Sequence, residues 1–198
     1  MTTDELQEHY QHLDSGQIEE LALYEVRDLR PEAVRILRTE IQRRGLPRVF
    51  HEAIDLQISD LTEADQQDLM SWLRASACPL CGSTSVPLNA CEVSNVRRLG
   101  FASLTENQLI TGCPQCLSQQ LTRASRKAYT SGCLALPWGW FRAAKVTDTY
   151  ENTQEILKTN EPTPELKEYV VRCAGGIHAA RAGGLDGVPD RRPTDRTV

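Results

Sequence analysis

Two short cysteine pairs constrain this chain more than anything else in it. Cys78-Pro79-Leu80-Cys81-Gly82 is followed, after 30 further residues, by Cys113-Pro114-Gln115-Cys116. A two-residue spacer lets one tight turn present two thiolates side by side, and proline after the first cysteine presets φ for that turn. Gly82 permits the positive φ that turns backbone N–H groups toward the sulfurs. Two such pairs offer four sulfur ligands, the set a structural zinc ion takes in a tetrahedron. The expectation is one zinc per chain at Cys78, Cys81, Cys113 and Cys116, with no catalytic role, because four protein ligands leave no open position for water or substrate. Arg74, Arg97 and Arg98 are candidates to offset the negative charge of that site. Leu117 stands where the second pair would ordinarily carry glycine, and the 31 residues between Cys81 and Cys113 call for a hairpin with a long loop.

Seven cysteines in all, an odd number, argue for ligands over a disulfide framework. Cys91, Cys133 and Cys173 read as small buried hydrophobes. The opening Met1-Thr2-Thr3-Asp4-Glu5 lacks the basic and apolar regions of a signal peptide, and no apolar run approaches the ~20 residues of a membrane span. A cytoplasmic setting is the expectation.

Charge divides the chain. Residues 1–70 carry a net −9, residues 71–148 a net +5 and residues 149–198 a net −1. With 40% hydrophobic and 25% charged residues, the fold class expected is α+β, mostly helical. Residues 1–75 form an acidic helical unit, 76–130 a small β zinc ribbon with a short basic helix, 131–182 an aromatic segment with C-terminal helices, and 183–198 a disordered tail rich in Gly, Pro, Arg and Asp. Within the first unit, Thr2 with Glu5 and Ser15 are the expected caps of two helices. Pro31 opens a third, which Gly45 closes with Leu46 packing back. A helix over 49–58 follows, then one capped by Thr62 and running through Leu73, with Arg74 to Ala77 leading into Cys78. In the ribbon, 86–88, 91–99 and 109–111 read as extended, Thr105-Glu106-Asn107-Gln108 as a turn, and 118–130 as a helix. Ala143 to Lys158 reads as helix. Residues 159–164 read as a linker, and a last helix begins at Pro164 and is weakened or ended at Gly175-Gly176.

Leu136-Pro137-Trp138-Gly139-Trp140-Phe141 gathers two of the three tryptophans. Trp138, Trp140 and Phe141, with Arg123, Arg126 and Lys127, are the candidate surface for a protein partner. The order of cysteine pairs, apolar strands, short helix and Pro137-Trp138-Gly139 over roughly residues 76–158 resembles a group of uncharacterised bacterial zinc-ribbon proteins. Glu40-Ile41-Gln42-Arg43-Arg44-Gly45-Leu46 is similar to the close of a helical motif common in bacterial proteins. The resemblance implies a bacterial, intracellular setting and brings no activity with it. The function expected is therefore a non-enzymatic binding or adaptor protein, most simply a protein–protein interaction module. The first alternative is nucleic-acid binding through Arg97, Arg98, Arg123, Arg126 and Lys127. The second is peripheral membrane contact through Trp138 and Trp140. No glycine-rich phosphate loop, HExxH motif or paired-carboxylate segment points to an enzyme.

Overall fold

The computed structural model describes residues 3–99, 102–132, 155 and 158–183, with side chains at all of these except 94–99, 102–106 and 127–132. The Trp138/Trp140 segment, nearly all of the helix expected over 143–158, and residues 184–198 lie outside the described residues. Among the described residues the chain is mostly helical with one two-stranded sheet, an α+β architecture. It divides into two compact units. One holds the described residues up to Leu73 and again from Val170; the other holds those from Arg74 to Tyr169.

The first unit is built from α1 (Thr3–His12), α2 (Ser15–Tyr24), a 3-10 turn (Val26–Asp28), α3 (Pro31–Arg43), α4 (Val49–Ile58) and α5 (Glu63–Ala75), the last running two residues past Leu73. Asp14, not Ser15, caps α2: its Oδ1 accepts from the Gln17 amide at 2.8 Å, and the Asp14 amide donates to Gln17 Oε1 at 2.9 Å. Aspartate caps a helix as well as serine does, and Gln17, three residues after Asp14, completes the reciprocal box with it. Pro31 occupies the first turn of α3, as expected. At the other end the Gly45 amide donates to the Gln42 carbonyl and the Leu46 amide to the Ile41 carbonyl, with Gly45 at φ 65°. This is the Schellman closure that the Gly-Leu-Pro sequence encodes. Ile18, Leu23, Leu37, Ile41, Phe50 and Ile54 fill the core between these helices.

After α7 (Pro164–Arg172) the chain does not end its helical course at the glycines. It restarts as α8 (Ala174–Arg181), with Gly175 and Gly176 inside the helix. Close packing explains their presence: a Cβ on Gly175 would sit 2.7 Å from the Leu23 carbonyl oxygen, and one on Gly176 would meet the Tyr24 ring. The C-terminal helix thus belongs to the first unit. His178 Nε2 lies 3.3 Å from Glu52 of α4, and Arg181 is bonded to Asp68 of α5.

The second unit centres on an antiparallel hairpin, β1 (Asn89–Leu99) and β2 (Ala102–Gly112), paired from Asn89↔Gly112 to Leu99↔Ala102. The segment Thr105–Gln108, expected as a turn, lies in the middle of β2, opposite Val96 to Val93. The long separation between the cysteine pairs is taken up by two eleven-residue strands and not by a loop. The helix α6 (Pro114–Gly132) starts four residues earlier than expected and lies on the hairpin. Leu117, Leu121 and Ala124 on one side of it cluster with Cys91, Val93 and Ile110. Leu117 and Leu121 are fully buried, and each such leucine stabilises by about 2 kcal/mol relative to exposure.

Candidate metal centre

The register of the hairpin builds the site. Because Gly112 pairs with Asn89, the residues just after β2 lie beside those just before β1. Cys113 follows Gly112 directly, whereas Cys81 stands eight residues before Asn89, the chain between doubling back so that the Leu88 amide donates to the Arg74 carbonyl at 3.1 Å. One ligand atom from each of Cys78, Cys81, Cys113 and Cys116 can be chosen so that all four lie within 4.8 Å of one another, close enough to hold one metal ion. The Cys81 and Cys113 sulfurs are 3.8 Å apart.

The two pairs reach this arrangement by different local structures. The first is a closed turn: the Gly82 amide donates to the Cys78 carbonyl at 2.7 Å and the Cys78 amide to the Ser83 carbonyl at 2.9 Å. Gly82 has φ 73° with open space around it, so glycine is required there by backbone conformation and not by crowding. The second pair is the start of a helix. Pro114 is the first residue of α6, and the Leu117 amide donates to the Cys113 carbonyl at 3.0 Å. A helical start needs no positive φ after Cys116, which is why leucine, pointing into the core, replaces glycine there. Cys116 in the first turn also meets the positive end of the helix dipole.

Electrostatics within the cluster favour a cation. Burial raises the Cys78 thiol, but the amides of Cys113, Leu80 and Cys81 more than offset it and hold the pKa at about 7. The Cys113 amide reaches the Cys78 sulfur at 3.3 Å. Burial pushes Cys116 up to about 12, helped by the Cys113 and Cys81 sulfurs beside it, and burial likewise raises Cys113. Four thiols this close cannot all ionise alone, because each thiolate disfavours the next. A bound divalent cation reverses that preference. The Cys78 and Cys113 thiols are buried, Cys116 is half-buried and Cys81 exposed.

Other expected residues fall as follows. The Arg74 guanidinium donates to the Asn160 carbonyl at 2.5 Å. Arg97 and Arg98 lie in β1, paired with Leu104 and Ser103, with their side chains outside the description. Arg123 and Arg126 are exposed on α6; Lys127 is in the same helix without a described side chain. Cys91 is buried in the apolar cluster, where burial first, and then Glu165, pushes its thiol up to about 12. Cys173 is buried too, while Cys133, Trp138, Trp140 and Phe141 are outside the described residues.

Sequence reasoning missed Asn89. Its Oδ1 accepts from the Thr163 amide at 2.9 Å and the Thr163 hydroxyl at 2.8 Å, and its Nδ2 donates to the Glu161 carbonyl at 2.7 Å. The supposed linker before α7 is therefore bound to the first residue of β1. The available signal was Thr163-Pro164, a capping hydroxyl followed by proline at the first helical position. The Leu166 amide indeed donates to Thr163 Oγ1 at 3.3 Å. Beyond the sequence itself there is no likeness to lean on: no protein-family model matches the chain, and neither a curated protein nor a solved structure matches it.

Proposed function

We propose that the four cysteines bind one zinc ion and that the protein is a non-enzymatic binding module, the metal fixing a hairpin and helix for display. The convergence of the four sulfurs carries this reading. A tetrahedron of thiolates about 2.3 Å from zinc has sulfur–sulfur edges of about 3.8 Å, the spacing of Cys81 and Cys113. Thiolates as the only donors favour zinc over magnesium, calcium or manganese. The saturated sulfur shell supports a structural role, because a catalytic metal keeps a position open. Trp138, Trp140 and Phe141 are part of the proposed binding surface on sequence grounds, together with the basic residues of α6.

Elemental analysis of the purified protein tests the metal. The expected result is about one zinc per chain, lost in Cys113→Ser and retained in Cys91→Ala, whose sulfur lies in the apolar cluster. A Cys113→Ser protein that keeps its full zinc would refute the assignment.

A further inference from the structure

Helix α6 has two opposite faces. Leu117, Leu121 and Ala124 are buried against the hairpin, while Gln115, Gln119, Arg123 and Arg126 are exposed. Their spacings of four, four and three place these residues in one strip on the far side of the helix from the buried three. Among the nineteen residues of α6 none is acidic, although acidic residues outnumber basic ones in the chain by 27 to 22. The strip joins side chains that hydrogen-bond through planar amide and guanidinium groups, and it carries positive charge at one end.

We infer that this face of α6 docks in the major groove of duplex DNA. The inference rests on the zinc reading, which supplies the rigid anchor: Cys116 lies in the first turn of α6, so a metal at the sulfurs would fix where the helix starts. At 1.5 Å per residue the strip from Gln115 to Arg126 runs about 16 Å, the length of roughly five base-pair steps. The major groove is about 12 Å wide, admits an α-helix, and presents adenine and guanine edges that Gln and Arg recognise in bidentate fashion. Two features select the occupant. The strip holds no aromatic side chain, so it lacks the stacking platform that single strands require. Duplex RNA closes its major groove to side chains. The net charge of −5 opposes association with DNA, and physiological salt screens charges farther apart than about 8 Å.

The test is fluorescence anisotropy of the zinc-loaded full-length protein with a labelled mixed-sequence duplex of about 20 base pairs, at about 50 and 200 mM salt. Two or three phosphate contacts predict a 10- to 40-fold loss of affinity, roughly, between those conditions. Arg123→Glu with Arg126→Glu should weaken binding at least about 10-fold at the lower salt. Arg35→Glu, a charge reversal at a highly exposed arginine of the first unit, should leave binding unchanged. Gln115→Ala with Gln119→Ala should alter preference among duplexes without changing the salt dependence. Absence of binding at the lower salt, binding indifferent to the double arginine reversal, or equal affinity for polyglutamate would each overturn the inference. Zinc is measured on the same samples. Zinc present with no DNA binding refutes the DNA surface alone. Failure of the protein to take up zinc, with DNA binding through Arg123 and Arg126 intact, refutes the metal reading and leaves the surface standing.

Discussion

Glu40 is 4% exposed, a carboxylate almost wholly removed from water. Such a group is tolerated only when its charge is met. Arg43 donates to both of its oxygens, at 2.9 and 2.5 Å, and Arg44 Nε to one of them at 2.6 Å. Arg44 then reaches across to the Tyr10 and Gln11 carbonyls at the close of α1. The Arg43 hydrogen bonds hold the Glu40 pKa at about 2, against burial and below its usual 4.5. A depressed carboxylate contributes stability that is present above the unfolded pKa and is lost as pH falls through the folded one. Glu40→Gln is therefore expected to lower stability at neutral pH by about 2 kcal/mol. The deficit relative to the parent should narrow as pH falls from 4.5 toward 2. Urea unfolding of both proteins at several pH values measures it; a deficit independent of pH would mean that Glu40 contributes through packing alone. Nothing in residues 40–46 announces this: the helix end is legible from Gly45 and Pro47, but which face of α3 turns inward at Glu40 depends on α1.

At the level of elements, local chemistry was legible and pairing was not. Pro31, Gly45 and Thr62 set helix ends through interactions with neighbours a few residues away, and the structure keeps them. The middle of β2 misled because Thr105-Glu106-Asn107-Gln108 has the composition of a turn, and what makes it a strand is hydrogen bonding to Val93–Val96 across the hairpin. Gly175-Gly176 misled in the same way. Judged locally, glycine weakens a helix by about 1 kcal/mol relative to alanine, and a Gly-Gly step reads as an end. In α8 the pair instead permits contact with α2, where the Leu23 carbonyl oxygen leaves no room for a Cβ. The two effects predict opposite signs for Gly175→Ala. Backbone oxygen cannot move aside as a side chain can, so overpacking wins, and the substitution should destabilise by about 2 kcal/mol. A chemical-unfolding midpoint that rises in Gly175→Ala would show that α8 does not pack this closely.

Over the whole molecule, the two units differ in what holds them together. The first has a core of fourteen clustered buried residues from helices α1 to α4, the 3-10 turn and α8. Beneath α6 the described cluster gathers six, and the open end of the hairpin is closed by the four sulfurs and by the Asn89–Thr163 hydrogen bonds. A metal held there adds its binding free energy to the folding of that unit and none directly to the other. Stripping the bound metal proposed above with a strong chelator at neutral pH should therefore act on one unit. Amide hydrogen exchange followed by mass spectrometry is expected to show protection lost over residues 78–93 and 107–126. Protection over α2, α3 and α4 should remain near its starting value, since those helices bury Ile18, Leu37 and Ile54 completely without any contribution from the sulfurs. Equal loss in both regions would mean that the helical unit also depends on the metal; no loss in either would mean that the hairpin and α6 stand on their apolar contacts alone. The expected asymmetry follows from where the ligands sit. All four bracket a single hairpin, so the free energy of metal binding enters the chain at the junction of β1, β2 and α6.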